Sequence, residues 1–490
     1  MWWTWLTGTI LLPLGMQRFS VGIAAVLAPA LLLRFNRTAP SAWKGFAGIY
    51  LACLIAQLSV HTPAYTGSAR ELATIIAVVA AGLHSLGYLF DRVASRRLPA
   101  ALACCVFPTY YIALELLAAR TGPYGSMDAI AYSLSGFPAL LQLASVTGLA
   151  GLAFLVYAFA PCANLAWENK SARAWLPLQA YALTLVLVLI LGGVRLAKGL
   201  PEGPTVSVAA VALDSATYTA TVSGSVRDVA SGEDALRQRV REHIQPAHEQ
   251  LIRKTEQAIA AGAQLIAWPE TVVVLEEDLP QLLARASALA AEHHVFLVVT
   301  PWVVKRTTAF PLGENLSIGI DQNGKEVWRY NKQRPVPGIE VNIARGEHAA
   351  PLVDTSLGRL TSAICFDNDF PQLLREVTAQ GADLLVAPSD DWPQIARVHS
   401  AMFGLHAIEN GVSIVKPTHN GISVIVDPLG RVQAELDTIA AQQPFALAQI
   451  PRHGVTTLYS RGGDWFAVLG AIAFVVLLIA ACLPRKRVAR

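Results

Sequence analysis

Charge is what this chain has little of: only 15% of its 490 residues are charged, against 53% hydrophobic, and the formal net charge is +3. So low a charge density excludes a purely soluble protein, and part of the chain must sit in lipid. The small net charge, with no basic run carrying interleaved aromatics, gives no footprint for nucleic acid. Cysteine is nearly absent from the polar part. Of the six cysteines, Cys53, Cys104, Cys105, Cys162 and Cys482 lie in or beside apolar runs, which leaves Cys365 without a disulfide partner. No repeat or low-complexity tract is visible. His399, His406 and His419 are too irregularly spaced for a compact zinc motif and have no second thiol near them in sequence, so no metal is expected.

What the chain does have is long apolar runs, near 3–16, 19–34, 45–61, 72–90, 99–118, 137–163, 174–195 and 465–483. With ~20 residues needed to cross a hydrocarbon core, they predict about eight spans. The domain plan is then a membrane region over 1–200 with seven spans, a polar domain over 201–463, and a last span with a basic tail over 464–490. The first run has no small-residue cleavage site and reads as a retained helix. Arg34, Arg37 and Lys44, then Arg92, Arg96 and Arg97, then Lys170 and Arg173, fall in alternate connections, and the tail holds Arg485, Lys486, Arg487 and Arg490. The positive-inside rule puts these in the cytoplasm and the polar domain outside, in a bacterium facing the periplasm from the inner membrane.

Beyond Thr205 short apolar strands alternate with polar helices. Strands are predicted over 206–213, 265–270 and 295–300 and helices over 235–261, 279–293 and 394–410. Hairpins are expected around Asp321-Gln322-Asn323-Gly324-Lys325 and Asn420-Gly421. This is a mixed sheet with helices packed on it.

Polar residues sit just past several strand ends: Glu270, Lys332 and Cys365. Strand ends are where sites form in open α/β sheets, so an acid, a base and a thiol can converge there. Apolar flanks would raise the pKa of Glu270 and suit it to take a proton from the thiol. Lys332 would supply fixed positive charge to an oxyanion. The thiol, between a strand end and a predicted helix over 372–380, would have its thiolate favoured by the helix N-terminus. Taken singly, a lone cysteine after an apolar strand is as well explained as a small core residue.

Together these residues resemble a known family. Trp268-Pro269-Glu270, then Tyr330-Asn331-Lys332 leading to Pro337 and Glu340, then Cys365, are similar to the Glu-Lys-Cys triad motifs of the nitrilase, or carbon–nitrogen hydrolase, superfamily. Seven spans, an α/β domain and a closing span resemble its membrane branch, the apolipoprotein N-acyltransferases, as do Gly136 to Gly148 and Asp427-Pro428-Leu429-Gly430. The resemblance implies an α-helical transmembrane bundle joined to an αββα sandwich. It implies Cys365 as nucleophile, Glu270 as general base and Lys332 as oxyanion stabiliser, with Glu340, Phe366 and Asp367 in support. Trp302, Trp392 and Glu409 would contact substrate. The implied reaction moves an acyl chain from a phospholipid, usually phosphatidylethanolamine, through a cysteine thioester to the amine of a diacylated lipoprotein. It needs no cofactor, and a monomer suffices. The chain departs from the family pattern at Asp367, which stands where Glu is usual, at Gly338, and at Ser389-Asp390-Asp391-Trp392-Pro393, where Asn-Asp-Ala-Trp-Phe is expected. His406 and His419 depart likewise. A paralogue acylating another amine, and a membrane-anchored amidase or nitrilase in which water resolves the acyl-enzyme, remain open at this point.

Overall fold

The computed structural model describes residues 2–17, 19–169, 171–221, 229–230, 234–440 and 443–483. Lys170 and the basic tail, used above for orientation, lie outside the described residues. The chain divides into two compact units, Met1–Lys198 with Gly462–Arg490, and Gly199–Arg461.

The first unit is helical. Among the described residues, six of its helices are long and apolar enough to cross a membrane: Ala42–Ala64, Gly67–Arg97, Ala100–Thr121, Leu149–Glu168, Ala172–Lys198 and Trp465–Cys482. Two further expected spans form helices but shorter ones, Trp2–Leu14 at 13 residues and Gly22–Thr38 at 17. The run over 137–163 is not one helix. It breaks into the short turns Pro138–Leu141 and Ala144–Thr147 before Leu149–Glu168 begins. Gly148 makes the break, because its φ of +64° is a left-handed conformation no continuing helix can hold.

The outward surface of this unit explains the composition. Leu183, Leu187, Ile190, Leu191, Ile472 and Val476 are all more than half exposed. Only 6% of the apolar stretch of Ala172–Lys198 is buried. Such a face is stable only against hydrocarbon, and a helix satisfies its own backbone there. The arginines read as loop residues are in fact in helix ends. Arg37 pairs with the fully buried Asp91 through two bonds of 2.7 Å, and Arg92 donates to the Ala39 carbonyl at 2.7 Å.

The second unit is an αββα sandwich. Its strands are β1 (Thr205–Val211), β2 (Leu265–Ala267), β3 (Val272–Leu275), β4 (Phe296–Val299), β5 (Pro301–Val304), β6 (Gly313–Ile320), β7 (Glu326–Asn331), β8 (Leu352–Thr355), β9 (Gly358–Ser362), β10 (Leu384–Val386), β11 (Ser389–Asp390), β12 (Ser413–Lys416), β13 (Thr418–His419), β14 (Ile422–Val426), β15 (Val432–Asp437) and β16 (Phe445–Pro451). One sheet runs β16-β1-β2-β4-β6-β5-β3 with β7 beside β6, a second runs β15-β14-β12-β10-β9-β8, and β11 pairs with β13.

Strand alternation decides the layers. Val206, Val208 and Ala210 of β1 join Leu360, Leu384, Val386, Val415 and Ile425 in the core between the sheets. Ala209 and Val211 point the other way, into a core shared with Leu251 and Ala258 of helix Asp234–Ala260 and Leu282 and Ala286 of helix Leu279–His293. On the far side Leu385, Ile414 and Val424 pack on Leu374 and Phe403, from helices Pro371–Thr378 and Ala396–Asn410. Both faces of the central strands are thus apolar, so these strands read as continuous hydrophobic runs.

Gly411 caps Ala396–Asn410 at φ +70°, and a Cβ there would lie 1.7 Å from the Val455 carbonyl oxygen. Gly411→Ala is expected to destabilise the unit by roughly 2–4 kcal/mol, from strain plus displacement of that carbonyl. Thermal melts should show the loss, with Gly203→Ala, whose Cβ would meet nothing within 4 Å, as the neutral control.

Candidate active site

Glu270 follows β2 and Lys332 follows β7, and the sheet brings them together. Lys332 Nζ lies 2.7 Å from Glu270 Oε1 and 2.8 Å from Glu340 Oε2. Asn315 on β6 spans both carboxylates, donating from Nδ2 to Glu270 Oε1 at 2.7 Å and to Glu340 Oε1 at 3.0 Å. The Val336 amide adds a bond of 2.6 Å to Glu340 Oε2. Glu270 and Lys332 are 2% and 1% exposed, so each charge survives only because the others neutralise it. Burial raises the Glu270 pKa against the lowering pull of Lys332. Burial works against the Lys332 ammonium, but the carboxylates of Glu270 and Glu340 outweigh it and hold its pKa well above the usual lysine range.

Cys365 opens a single 3₁₀ turn, Cys365–Asp369, three residues past β9. Its φ of +45° is unusual for a residue with a side chain and costs on the order of 1–3 kcal/mol. The turn is fixed on several sides. The Cys365 amide donates to the Pro388 carbonyl at 2.7 Å, and the next carbonyl, of Ser389, accepts from the Glu270 amide at 3.2 Å. Asn368 Nδ2 donates to the Cys365 carbonyl at 3.0 Å. Asp367 binds the turn to the lysine loop: its carboxylate accepts from the Gln333 and Arg334 amides at 3.1 and 2.7 Å, from Tyr330 Oη at 2.8 Å and from the Ile364 amide at 3.1 Å. The shorter acid thus still reaches across. Phe366 is buried and packs edge-on against Phe370.

The helix Pro371–Thr378 begins only after this turn, so its N-terminus is not what governs the thiol. Burial, and then the Glu270 carboxylate, push the Cys365 pKa well up, with Lys332 opposing. The resting group is a thiol that needs a base.

Cys365, Glu270 and Lys332 line one cavity of about 420 Å³, with Trp302 and Trp392 in its wall. Glu409 is not among its lining. That residue is 1% exposed and accepts from His406 at 3.1 Å, held on the packed face of its helix.

A second buried charge cluster lies beside the sulfur, and sequence reasoning missed it. Asp391 pairs with Lys416 at 2.5 Å and with His399 Nδ1 at 2.6 Å. Burial opposes the Asp391 charge, but Lys416 and His399 pull its pKa down to about 2. A ring nitrogen of His399, an Asp391 oxygen and Cys365 Sγ lie within 4.8 Å of one another, the one metal-sized group among the described residues. Both Asp391 oxygens already hold cationic or imidazole partners, which makes it a poor ligand. The legible signal was Asp391 standing where the family motif has Ala, eight residues before a histidine.

Comparison with known proteins agrees with this architecture. Residues 207–458 match the carbon-nitrogen hydrolase model, and residues 8–162 match the apolipoprotein N-acyltransferase N-terminal domain. The chain belongs to the apolipoprotein N-acyltransferase branch of the carbon–nitrogen hydrolase family. A relative of that name from Azotobacter vinelandii is 27% identical, over 98% of this chain and 94% of that one. One from Geobacter metallireducens is 26% identical, over 76% and 73%, and one from Gloeobacter violaceus is 30% identical over 49% of each chain. With the Gloeobacter relative, then, the match spans about half of its length. Among solved structures, an amidase from Nesterenkonia sp. is 20% identical, covering 52% of this chain and 94% of that one, with a TM-score of 0.37.

Within this family framework the Asp391–Lys416 pair can be tested. Lys416→Met strands a buried carboxylate and is expected to cost about 3–5 kcal/mol, while Asp391→Ala/Lys416→Met regains most of it. The wild-type contribution of Asp391, whose pKa falls from 3.8 to about 2 on folding, is present above the unfolded value and lost only as pH falls through about 2. Melts of the wild type, Lys416→Met, Asp391→Ala and the double variant from pH 7 to pH 2 check both statements; additive losses would overturn the pairing.

Proposed function

We propose that this protein is a phospholipid-dependent N-acyltransferase working by a ping-pong route, on the outer face of a bacterial inner membrane. The observation that carries the reading is the buried Glu270–Lys332–Glu340 cluster opening on the same cavity as the Cys365 thiol. The donor is a phospholipid, phosphatidylethanolamine in the first instance, and the acceptor is the α-amine of a diacylated lipoprotein. Trp302 and Trp392, which line the cavity, would offer apolar surface to the acyl chain.

Each group has one task. Glu270 takes the thiol proton as Sγ attacks the ester carbonyl, and its raised pKa makes it a competent base that afterwards returns the proton to the leaving lysophospholipid. Lys332 spends two of its three N–H bonds on Glu270 and Glu340, which leaves the third for the oxyanion. Glu340 and Asn315 keep the lysine charged and aimed. The thioester then stores the acyl group while one lipid departs and the next arrives.

Intact-mass spectrometry of the membrane-purified protein, incubated with phosphatidylethanolamine and chased with a diacylated lipopeptide, tests this. An acyl-sized mass gain that Cys365→Ala abolishes, and that moves to the peptide amine, is expected. Lys332→Met should slow the gain by roughly 10²–10³-fold, the usual effect of removing an oxyanion donor. Loss of the acyl group to buffer as fast as to peptide would make the protein a hydrolase instead.

A further inference from the structure

Four carboxyl groups line the cavity, and three are already committed. Glu270 shares an oxygen with Lys332 and Asn315, Glu340 is held by Lys332, Asn315 and the Val336 amide, and Asp391 by Lys416 and His399. Asp390 differs. The partners recorded for its carboxyl are two neutral hydroxyls: Tyr218 Oη donates to Oδ1 at 2.7 Å, and Thr271 donates as well. It is only partly buried, and both Asp390 and Tyr218 face the cavity that holds Cys365. Its own backbone N–H bonds to the Cys365 sulfur, so the carboxyl is carried on the residue that touches the nucleophile.

We propose that Asp390, held by Tyr218, is the subsite for the ammonium group of the incoming acceptor and takes its first proton. The inference rests on the lipid-to-amine reading above. An α-amine arrives protonated and cannot attack in that form. Transfer of one proton to Asp390 gives the neutral amine, which adds to the thioester carbonyl. The C–N bond forms and the C–S bond breaks. A second ammonium proton passes through Glu270 to the departing sulfur and restores the thiol, and the third stays on the amide nitrogen. Asp390 then returns its proton to solvent. Burial, with Glu270 next, lifts the Asp390 pKa to about 8, close to the ~7.7–8.0 of an α-amine, so the carboxylate that takes the proton is the minor form at neutral pH and its share grows as pH rises towards 8. The charges it meets are Glu270, from the turn after β2, and Asp391, its own neighbour in the chain.

The test separates the two half-reactions. Acyl-enzyme is formed from phosphatidylethanolamine, and its discharge is followed by intact mass with a diacylated lipopeptide or with hydroxylamine, an amine that is already neutral at pH 7.5. For Asp390→Asn the ratio of the lipopeptide rate to the hydroxylamine rate should fall at least ten-fold, with KM for the lipopeptide raised. Tyr218→Phe, which removes only the phenol donor, should lower the same ratio less and serves if Asp390→Asn does not fold. Equal losses with both amines would make Asp390 a prop for Cys365 and overturn the proposal. An unchanged ratio in both variants would do the same. Failure of the wild type to acylate the lipopeptide at all, with acyl-enzyme present, would sink the acceptor reading and this subsite with it.

Discussion

The buried ammonium of Lys332 sets the terms for the rest of the second unit. Removing it from water costs several kcal/mol even after relaxation, and each carboxylate buried with it costs a similar amount. The arrangement is tolerable only if every charge finds an opposite within hydrogen-bond distance and every remaining lone pair finds a donor. That requirement recruits Glu270 from one strand end, Glu340 from the loop beyond, and Asn315 from the strand between. It also explains why the site is built at the ends of β2, β6 and β7: these adjacent or near-adjacent strands deliver side chains to one point without a long loop to order. The thiol comes from the other sheet, and the layer of apolar side chains between the sheets fixes the distance between base and nucleophile.

The same economy of charge governs the helical unit, with lipid in place of protein. Its helices close their own hydrogen bonds and show hydrocarbon to hydrocarbon, while Asp91 is kept at a helix end and satisfied by both arms of Arg37. Fifteen per cent charge over the whole chain is therefore an average of two regimes. One excludes charge from its lipid face, and the other concentrates it where a proton must move.

Much of this was legible in the sequence, and the reasons are local. Strand alternation in β1 and helical periodicity in Asp234–Ala260 and Leu279–His293 are properties of contiguous residues, so a mixed sheet with helices packed on it could be read from them, while the sandwich came from the family resemblance. Glu270, Lys332 and Cys365 could be picked out because each follows an apolar strand. What could not be read depended on position in space. The break at Gly148 hides inside an uninterrupted apolar run, since a single φ value leaves no trace in hydropathy. Glu409 looked available for substrate because a glutamate on a helix usually is; here its face of the helix is packed and His406 claims it. Asp390 stood in the sequence only as the aspartate of a family motif, and its place in the cavity beside the thiol could not be read from that.

The pairing of Asp391 with Lys416 shows how such a departure is accommodated. An aspartate where the family pattern has alanine adds a negative charge within 4.8 Å of the nucleophile's neighbourhood, and an unpaired one would suppress the thiolate that catalysis needs. Lys416, at the end of β12, cancels that field at 2.5 Å, and His399 fixes the second oxygen. The sulfur thus lies between two carboxylate–ammonium pairs. One, Glu270 with Lys332, is the pair that the proposed reaction uses for proton transfer. The other has both carboxylate oxygens occupied and a pKa too low to accept a proton at neutral pH, so its effect on the thiol is a fixed field. Two clusters of nearly identical composition therefore differ in their carboxyl groups: burial raises the pKa of Glu270, whereas Lys416 and His399 hold that of Asp391 down.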